Sequence, residues 1–337
     1  MRIDTNIGMN LASAAEGAKA AEAAGYDGAW SVETSHDPFF PLVLAAPATS
    51  SITVGTSIAV AFARNPMLLA NIGYDLQALS GGRFVLGLGS QIKPHIMKRF
   101  SMEWSRPAAR MREMVLAIHA IWDSWQDGTR LDFQGDFYTH TLMTPFFNPG
   151  PNPHGKARIM IAAVGPMMTS VAGEVCDGMF AHPFTTPEFV RDVTLPAIEA
   201  GRAKSGRSAD GFELMVPAFV VTGRNEDEMA KVRDIVSGQI AFYGSTPAYK
   251  TVLDHHGLGD LQPELNRLSK VGEWAEMANL IDDDLLSVFA VVAEPDQVAT
   301  KLLARYGDTA QRLSFNTMTP FPDDFWQPIM ADIRAGS

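Results

Sequence analysis

Cysteine is nearly absent from this 337-residue chain, in which Cys176 stands alone. One thiol closes no internal disulfide and supplies no cysteine-rich zinc site, and such usage fits a reducing, cytoplasmic setting. Charge is also sparse, at 19% against 46% hydrophobic residues, which excludes a disordered chain. Basic residues are the scarcer sign, 27 against 38 acidic, for a net charge of −11. That balance argues against nucleic acid or an anionic membrane as partner and leaves small molecules. No apolar run approaches the roughly 20 residues of a membrane span. The stretch from Ile159 to Met168 comes nearest, and Gly165-Pro166 interrupts it. The opening Met1-Arg2-Ile3-Asp4, with Glu16 soon after, has no apolar core of the kind an export signal needs.

Several site signatures are missing as well. The eight histidines form no His-x-His and no His-Glu-x-x-His, so no metal site is expected. There is no phosphate-binding Gly-x-x-x-x-Gly-Lys-Ser/Thr loop. Gly87-Leu88-Gly89-Ser90-Gln91-Ile92 starts like a dinucleotide fingerprint, but Ile92 takes the third glycine position and Lys93-Pro94 follows where a helix should begin.

What is present is a regular alternation of β-rich and helical stretches, the mark of a parallel sheet built from βα units. Strands are expected over 2–7, 28–32, 52–60, 84–88, 158–163, 178–181, 212–222 and 312–316. Helices are expected over 11–24, 41–49, 66–79, 106–125, 167–176, 187–200 and 295–306. The helix over 106–125 is the clearest, because Met111, Met114, Val115, Ile118, Trp122 and Trp125 recur at helical spacing. About seventy mostly helical residues between strands seven and eight exceed one crossover and read as an insertion. Eight units without an internal linker predict a single TIM (β/α)8 barrel domain over 1–337 with a helical insertion between strands seven and eight.

In such a barrel the chemistry belongs to the loops after the strands. Glu33-Thr34-Ser35-His36-Asp37 follows strand two, where His36 either serves a ligand or hydrogen-bonds loop backbone. Gly55-Thr56-Ser57-Ile58 and Gly87-Leu88-Gly89-Ser90-Gln91 follow strands three and four. Their glycines and small hydroxyl residues let a planar ring lie against backbone, or pack the barrel mouth. Between Arg83 and Arg112 seven basic residues face Glu103 alone, which reads as an anion site or a solvated helix face. Gly165-Pro166-Met167-Met168 opens a helix after strand five, where free N–H groups favour a phosphate or simply turn the chain. Asp282-Asp283-Asp284 and His255-His256 read as surface.

Taken in order, several segments resemble the bacterial luciferase-like superfamily of flavin and deazaflavin oxidoreductases. They are Ala24-Gly25-Tyr26-Asp27, Ser35-His36-Asp37-Pro38-Phe39, Val54-Gly55-Thr56-Ser57-Ile58 with Arg64-Asn65-Pro66, Leu79-Ser80-Gly81-Gly82-Arg83-Phe84 with Gly87-Leu88-Gly89, and Ala172-Gly173-Glu174 with Cys176-Asp177-Gly178. The resemblance runs through nearly the whole chain and is nearest to the branch that uses coenzyme F420, a deazaflavin with a phosphate and oligoglutamate tail. It implies that His36 is the proton donor beside the ring and that Ser57 and Ile58 share a cis peptide whose bulge backs the ring. It implies further that Ser90, Gln91 and His95 touch the ring or its ribityl chain, and that Gly165, Met167 and Met168 receive the phosphate. It also implies a homodimer. Ser35 and Ile92 depart from the aspartate and glutamate of the sugar-phosphate dehydrogenases in that branch, which counts against sugar-phosphate oxidation.

The resulting expectation is hydride transfer between the deazaflavin C5 and a small, fairly apolar substrate. The alternative is an FMN-dependent monooxygenase supplied with reduced flavin by a separate reductase. Phe39, Phe40, Phe62, Trp104, Phe184, Phe242 and Tyr243 are candidates for the substrate pocket or for core.

Overall fold

The computed structural model describes residues 1–8 and 10–337. Eight parallel strands close into a barrel: β1 (Arg2–Asn6), β2 (Gly28–Ser31), β3 (Thr53–Thr56), β4 (Phe84–Gly89), β5 (Arg158–Ala163), β6 (Gly178–Ala181), β7 (Glu213–Val221) and β8 (Arg312–Asn316). Each pairs with the next in order, and closure comes from β8 on β1 at Leu313↔Ile3. Strand β7 joins β6 at Met215↔Phe180 and β8 at Met215↔Arg312. The strands read as near-continuous apolar runs because a barrel strand is covered on both faces.

Outside the barrel lie α1 (Ala14–Ala24), α2 (Phe39–Ala48), α3 (Pro66–Leu79), α4 (Pro107–Gln126), α5 (Pro166–Val175) and α6 (Leu195–Ser205). Helix α1 ends where expected, at Gly25, whose φ of 92° suits a residue without Cβ. All six periodic residues of α4 are buried. Trp122 Nε1 donates to the Ala70 carbonyl at 3.0 Å, and Gly73 leaves room for its indole, since a Cβ there would stand 2.8 Å from the ring. The helix expected over 187–200 starts at Pro187 but continues through a π-turn at Val190–Thr194 to Ser205.

The insertion contributes α7 (Glu226–Gly244), α8 (Lys250–His255), α9 (Leu261–Val271), α10 (Trp274–Asn279) and α11 (Asp283–Phe289), ahead of α12 (Pro295–Tyr306). Its core packs Val236, Ile240, Leu265 and Phe289 against Phe184 and Phe219 at the ends of β6 and β7. A short strand, Ala290–Val292, extends the sheet beside the end of β7 at Phe219↔Ala290. Helix α13 (Asp323–Gly336) finishes the chain. Among the described residues no helix is long and apolar enough to cross a membrane.

Inside the barrel, Trp30, Val85, Met160, Phe180 and Met215 form one packed layer. Trp30 and Phe180 meet edge to face at 5.2 Å, and Gly55 admits the indole, which would lie 2.7 Å from a Cβ. Toward the strand N-termini, Arg312 is fully buried and bidentate on Asp4, with both contacts at 2.7 Å. That end is sealed. At the other end, inward positions such as Ala162, Pro217, Ser314 and Asn316 stay partly accessible, so the open mouth is at the strand C-termini.

Candidate active site

Strand three is where sequence and structure differ most usefully. One strand was expected over 52–60, yet the pairing breaks at the Ser57–Ile58 peptide, which is cis. Gly55 pairs with Val85 and Ala59 with Leu88, so four residue steps on one side oppose three on β4. The extra residue makes a bulge, a device that re-aims backbone at the rim of a barrel. Ile58 leans on Gly89, where a Cβ would stand 2.7 Å from Ile58 Cδ1, and on the layer below. The bulge is also tied to the neighbouring loop: Ser57 N–H donates to the Ser31 carbonyl at 2.8 Å and Glu33 N–H to the Ile58 carbonyl at 3.3 Å.

The loop after β2 carries His36 in an exposed position, without a hydrogen bond to any described residue. The residues flanking it are held by Arg64, whose Nη1 donates to Glu33 Oε2 and Nη2 to Asp37 Oδ2, both at 2.7 Å. Glu33 Oε2 also accepts from Val60 N–H at 2.7 Å, and Asp37 Oδ1 accepts the Phe39 N–H at 2.9 Å, which starts α2 two residues earlier than expected. In the sequence Arg64 is simply part of Arg64-Asn65-Pro66. Its position just before the proline that opens α3 offered no signal that it reaches back to β2.

Across the mouth, Ser90 and Gln91 are half-buried and hold their own turn. Ser90 Oγ donates to the Gln91 carbonyl at 3.1 Å, and Gln91, at φ 58°, folds its Oε1 onto the Ile92 N–H at 2.9 Å. His95 begins a π-turn, His95–Arg99, and is exposed. Arg99 donates to the Thr34 carbonyl, which joins this loop to that of His36. The basic run around it is not one anion site. Arg83 is spent on the carbonyls of Ala46, Thr49 and Ile52, Arg106 on Asp136, Arg110 on the Glu103 carbonyl and Arg112 on Glu174. Lys93 and Lys98 alone of the seven have no partner among the described residues.

Gly165 caps α5 with no side chain on its first N–H groups, Pro166 sits at the first helical position, Met167 is exposed and Met168 half-buried. The aromatic candidates divide. Phe62 and Phe184 are fully buried core, Phe62 under Trp104 at 5.7 Å and Phe184 stacked on Phe289 at 4.5 Å, while Phe39 is buried below Arg64. Phe40 and Phe242 point outward. Trp104 and Tyr243 remain partly accessible. Asp282 caps α11 through the Leu285 N–H at 2.8 Å, as a surface cap should. His256 corrects the surface reading of its pair, because it is half-buried and bonded to Thr186 Oγ1 at 2.7 Å, whereas His255 is exposed beside Asp192. Among the described residues no group of three or more His, Cys, Asp or Glu side chains could hold a metal ion.

The family model for luciferase-like monooxygenases matches residues 2–312. The chain belongs to that family. An uncharacterized protein of Mycobacterium tuberculosis is 53% identical to this luciferase-like chain over 313 residues, covering 93% of it and 92% of the relative. The 5,10-methylenetetrahydromethanopterin reductase of Archaeoglobus fulgidus is 28% identical over 291 residues, 84% and 83% of the two chains. In fold, the luciferase-like barrel matches the coenzyme F420 dependent tetrahydromethanopterin reductase of Methanopyrus kandleri with a TM-score of 0.80 at 20% identity, covering 100% and 98%. This member of the luciferase-like family is an oxidoreductase.

Proposed function

We propose that the protein is an F420-dependent oxidoreductase that exchanges a hydride with a small, fairly apolar organic substrate at the barrel mouth. The observation that carries this reading is the convergence of three strand-end features: the exposed His36, the Ser57–Ile58 bulge and the uncapped start of α5. The residues fit a deazaflavin. Nothing lies within 4 Å of where a Cβ on Gly165 would stand, and no side chain caps the first turn of α5, so its free N–H groups suit a phosphate. The bulge offers backbone and the Ile58 side chain as a support, and Ser90 and Gln91 follow the end of the adjacent β4, with His95 on the same loop.

Bound F420 would supply the two-electron carrier, its C5 giving or taking hydride. The chain's own work is orientation and proton handling. Arg64 holds the carboxylates of Glu33 and Asp37 on either side of His36, and the unengaged imidazole gives or takes the proton that accompanies hydride. A homodimer belongs to the same reading: Phe40, 62% exposed, with Val43 and Leu44 leaves α2 apolar on its outer face, beside Leu68 of the adjacent α3. The test is the absorbance spectrum and mass of the cofactor that accompanies the protein from a host making both F420 and FMN. F420 in the purified protein supports the proposal; FMN alone turns it toward the monooxygenase.

A further inference from the structure

Strand β6 and the insertion together build a feature that the hydride-transfer reading does not use. Phe180 points inward into the central layer, so His182, two residues on, emerges on the same side at the mouth. The register Ala163↔Ala181 sets Val164 level with His182, and the Gly165 turn begins one residue further. His182 therefore stands beside the start of α5, at the rim of the same opening.

Its ring is held from several directions. Tyr243 of α7 meets it edge-on at 4.6 Å, and Tyr249, just before α8, lies over it at 4.3 Å and 33°. Beneath them Phe184 and Phe289 stack at 4.5 Å. The Phe184 N–H donates to His182 Nδ1 at 3.1 Å, so Nδ1 is the unprotonated nitrogen and the proton of the neutral ring sits on Nε2. Nε2 has no hydrogen-bond partner among the described residues. Nor does the Tyr249 hydroxyl. A fixed donor is thus offered beside two aromatic rings that pack the imidazole and stand 6.2 Å apart at 83° to each other.

We infer that His182, Tyr243 and Tyr249 form the substrate subsite, taking an apolar, uncharged compound whose carbonyl oxygen accepts from His182 Nε2. The inference rests on the barrel mouth being the active site, as proposed above. Charge decides the ligand class. Burial lowers His182 to about 4, so the ring is neutral near pH 7, and burial pushes Tyr249 up to about 12, so its hydroxyl keeps its proton. The adjacent Lys250 is engaged by Asp254. Neither His182 nor Lys250 offers a free charge to a carboxylate, whereas a neutral oxygen suits the single N–H and the rings suit an apolar body.

The test uses the full chain with 15N-labelled histidine, with acetophenone as probe and benzoate as its anionic counterpart. Acetophenone is expected to shift the His182 Nε2 resonance and to bind at least tenfold more tightly than benzoate. In His182→Asn the side-chain oxygen can still accept the Phe184 N–H but no donor reaches the Nε2 position. That variant is expected to lose acetophenone affinity at least tenfold while binding F420 within twofold of the parent. Unmoved His182 resonances, equal binding of acetophenone by parent and variant, or a preference for benzoate would overturn the subsite. The wild-type titration decides the matter even if the variant fails to fold. F420 fluorescence is read separately, so a protein that shifts His182 on acetophenone without binding F420 keeps the subsite and loses the cofactor, and the converse result does the reverse.

Discussion

Arg64 and Glu33 form an ion pair of 2.7 Å in which both side chains are largely removed from water, at 14% and 6% exposure. The same guanidinium reaches Asp37, so one residue beyond strand three holds both ends of the segment that carries His36. Replacing Arg64 by Met should destabilise the fold by about 3 kcal/mol, since Glu33 would stay buried without its partner. Arg64→Lys keeps the charge but serves one carboxylate instead of two. It should lower turnover roughly tenfold while changing F420 affinity less than about threefold. A purely structural arginine would instead lower the melting temperature and leave turnover per folded molecule unchanged.

His36 itself should matter to rate and not to binding. His36→Ala and His36→Asn should each reduce turnover by roughly 10² to 10⁴ at saturating cofactor, because neither delivers a proton in the transition state. Steady-state kinetics with F420 affinity measured alongside checks this. A loss under about threefold would remove His36 as an essential acid.

Much of this was legible in the sequence, and the failures have physical causes. Strand five, strand six, strand eight and the helix over 66–79 lie where apolar runs and flanking Pro and Gly place them, because local propensity and tertiary burial agree there. Strand three did not, since β-branched residues continue through the bulge and periodicity cannot count an extra residue opposite β4. Ala290–Val292 was hidden by its length. Phe62 and Phe184 were indistinguishable from pocket walls until packing showed them fully buried. His182 directly follows a strand end, as His36 nearly does, but its importance depends on two tyrosines more than fifty residues away. Composition cannot bring them together.

Glu22 offers a pH-dependent check on the fold. Burial opposes its ionisation, but the N–H groups of Ile52, Ser51 and Ser50 outweigh this and hold the carboxyl at about 2. With a folded value below the ordinary one of 4.5, its contribution is complete above about pH 4.5 and is lost as pH falls toward 2. Glu22→Gln should therefore cost about 1 kcal/mol at pH 7. The gap between parent and variant in urea midpoints should hold steady from pH 7 to about pH 5 and narrow below that. A gap that widened with acid would contradict the assignment.

The apolar outer face of α2 predicts a dimer of about twice the 36.6 kDa chain. Sedimentation or light scattering measures it. Phe40→Asp combined with Leu44→Asp should give a soluble monomer, since both side chains are exposed and their loss leaves the core intact. An unchanged mass in the double variant would move the interface elsewhere.

The central claim is that this barrel mouth holds a deazaflavin, and the most direct measurement is a side-by-side titration with F420 and FMN. The parent should bind F420 with micromolar or tighter affinity and FMN at least tenfold more weakly. Gly165→Asp, which sets a carboxylate at the opening of α5, should weaken F420 at least tenfold, while Gly165→Asn, of the same size without charge, should weaken it less. Tighter binding of FMN than of F420, or F420 affinity indifferent to a charge at Gly165, would contradict the account.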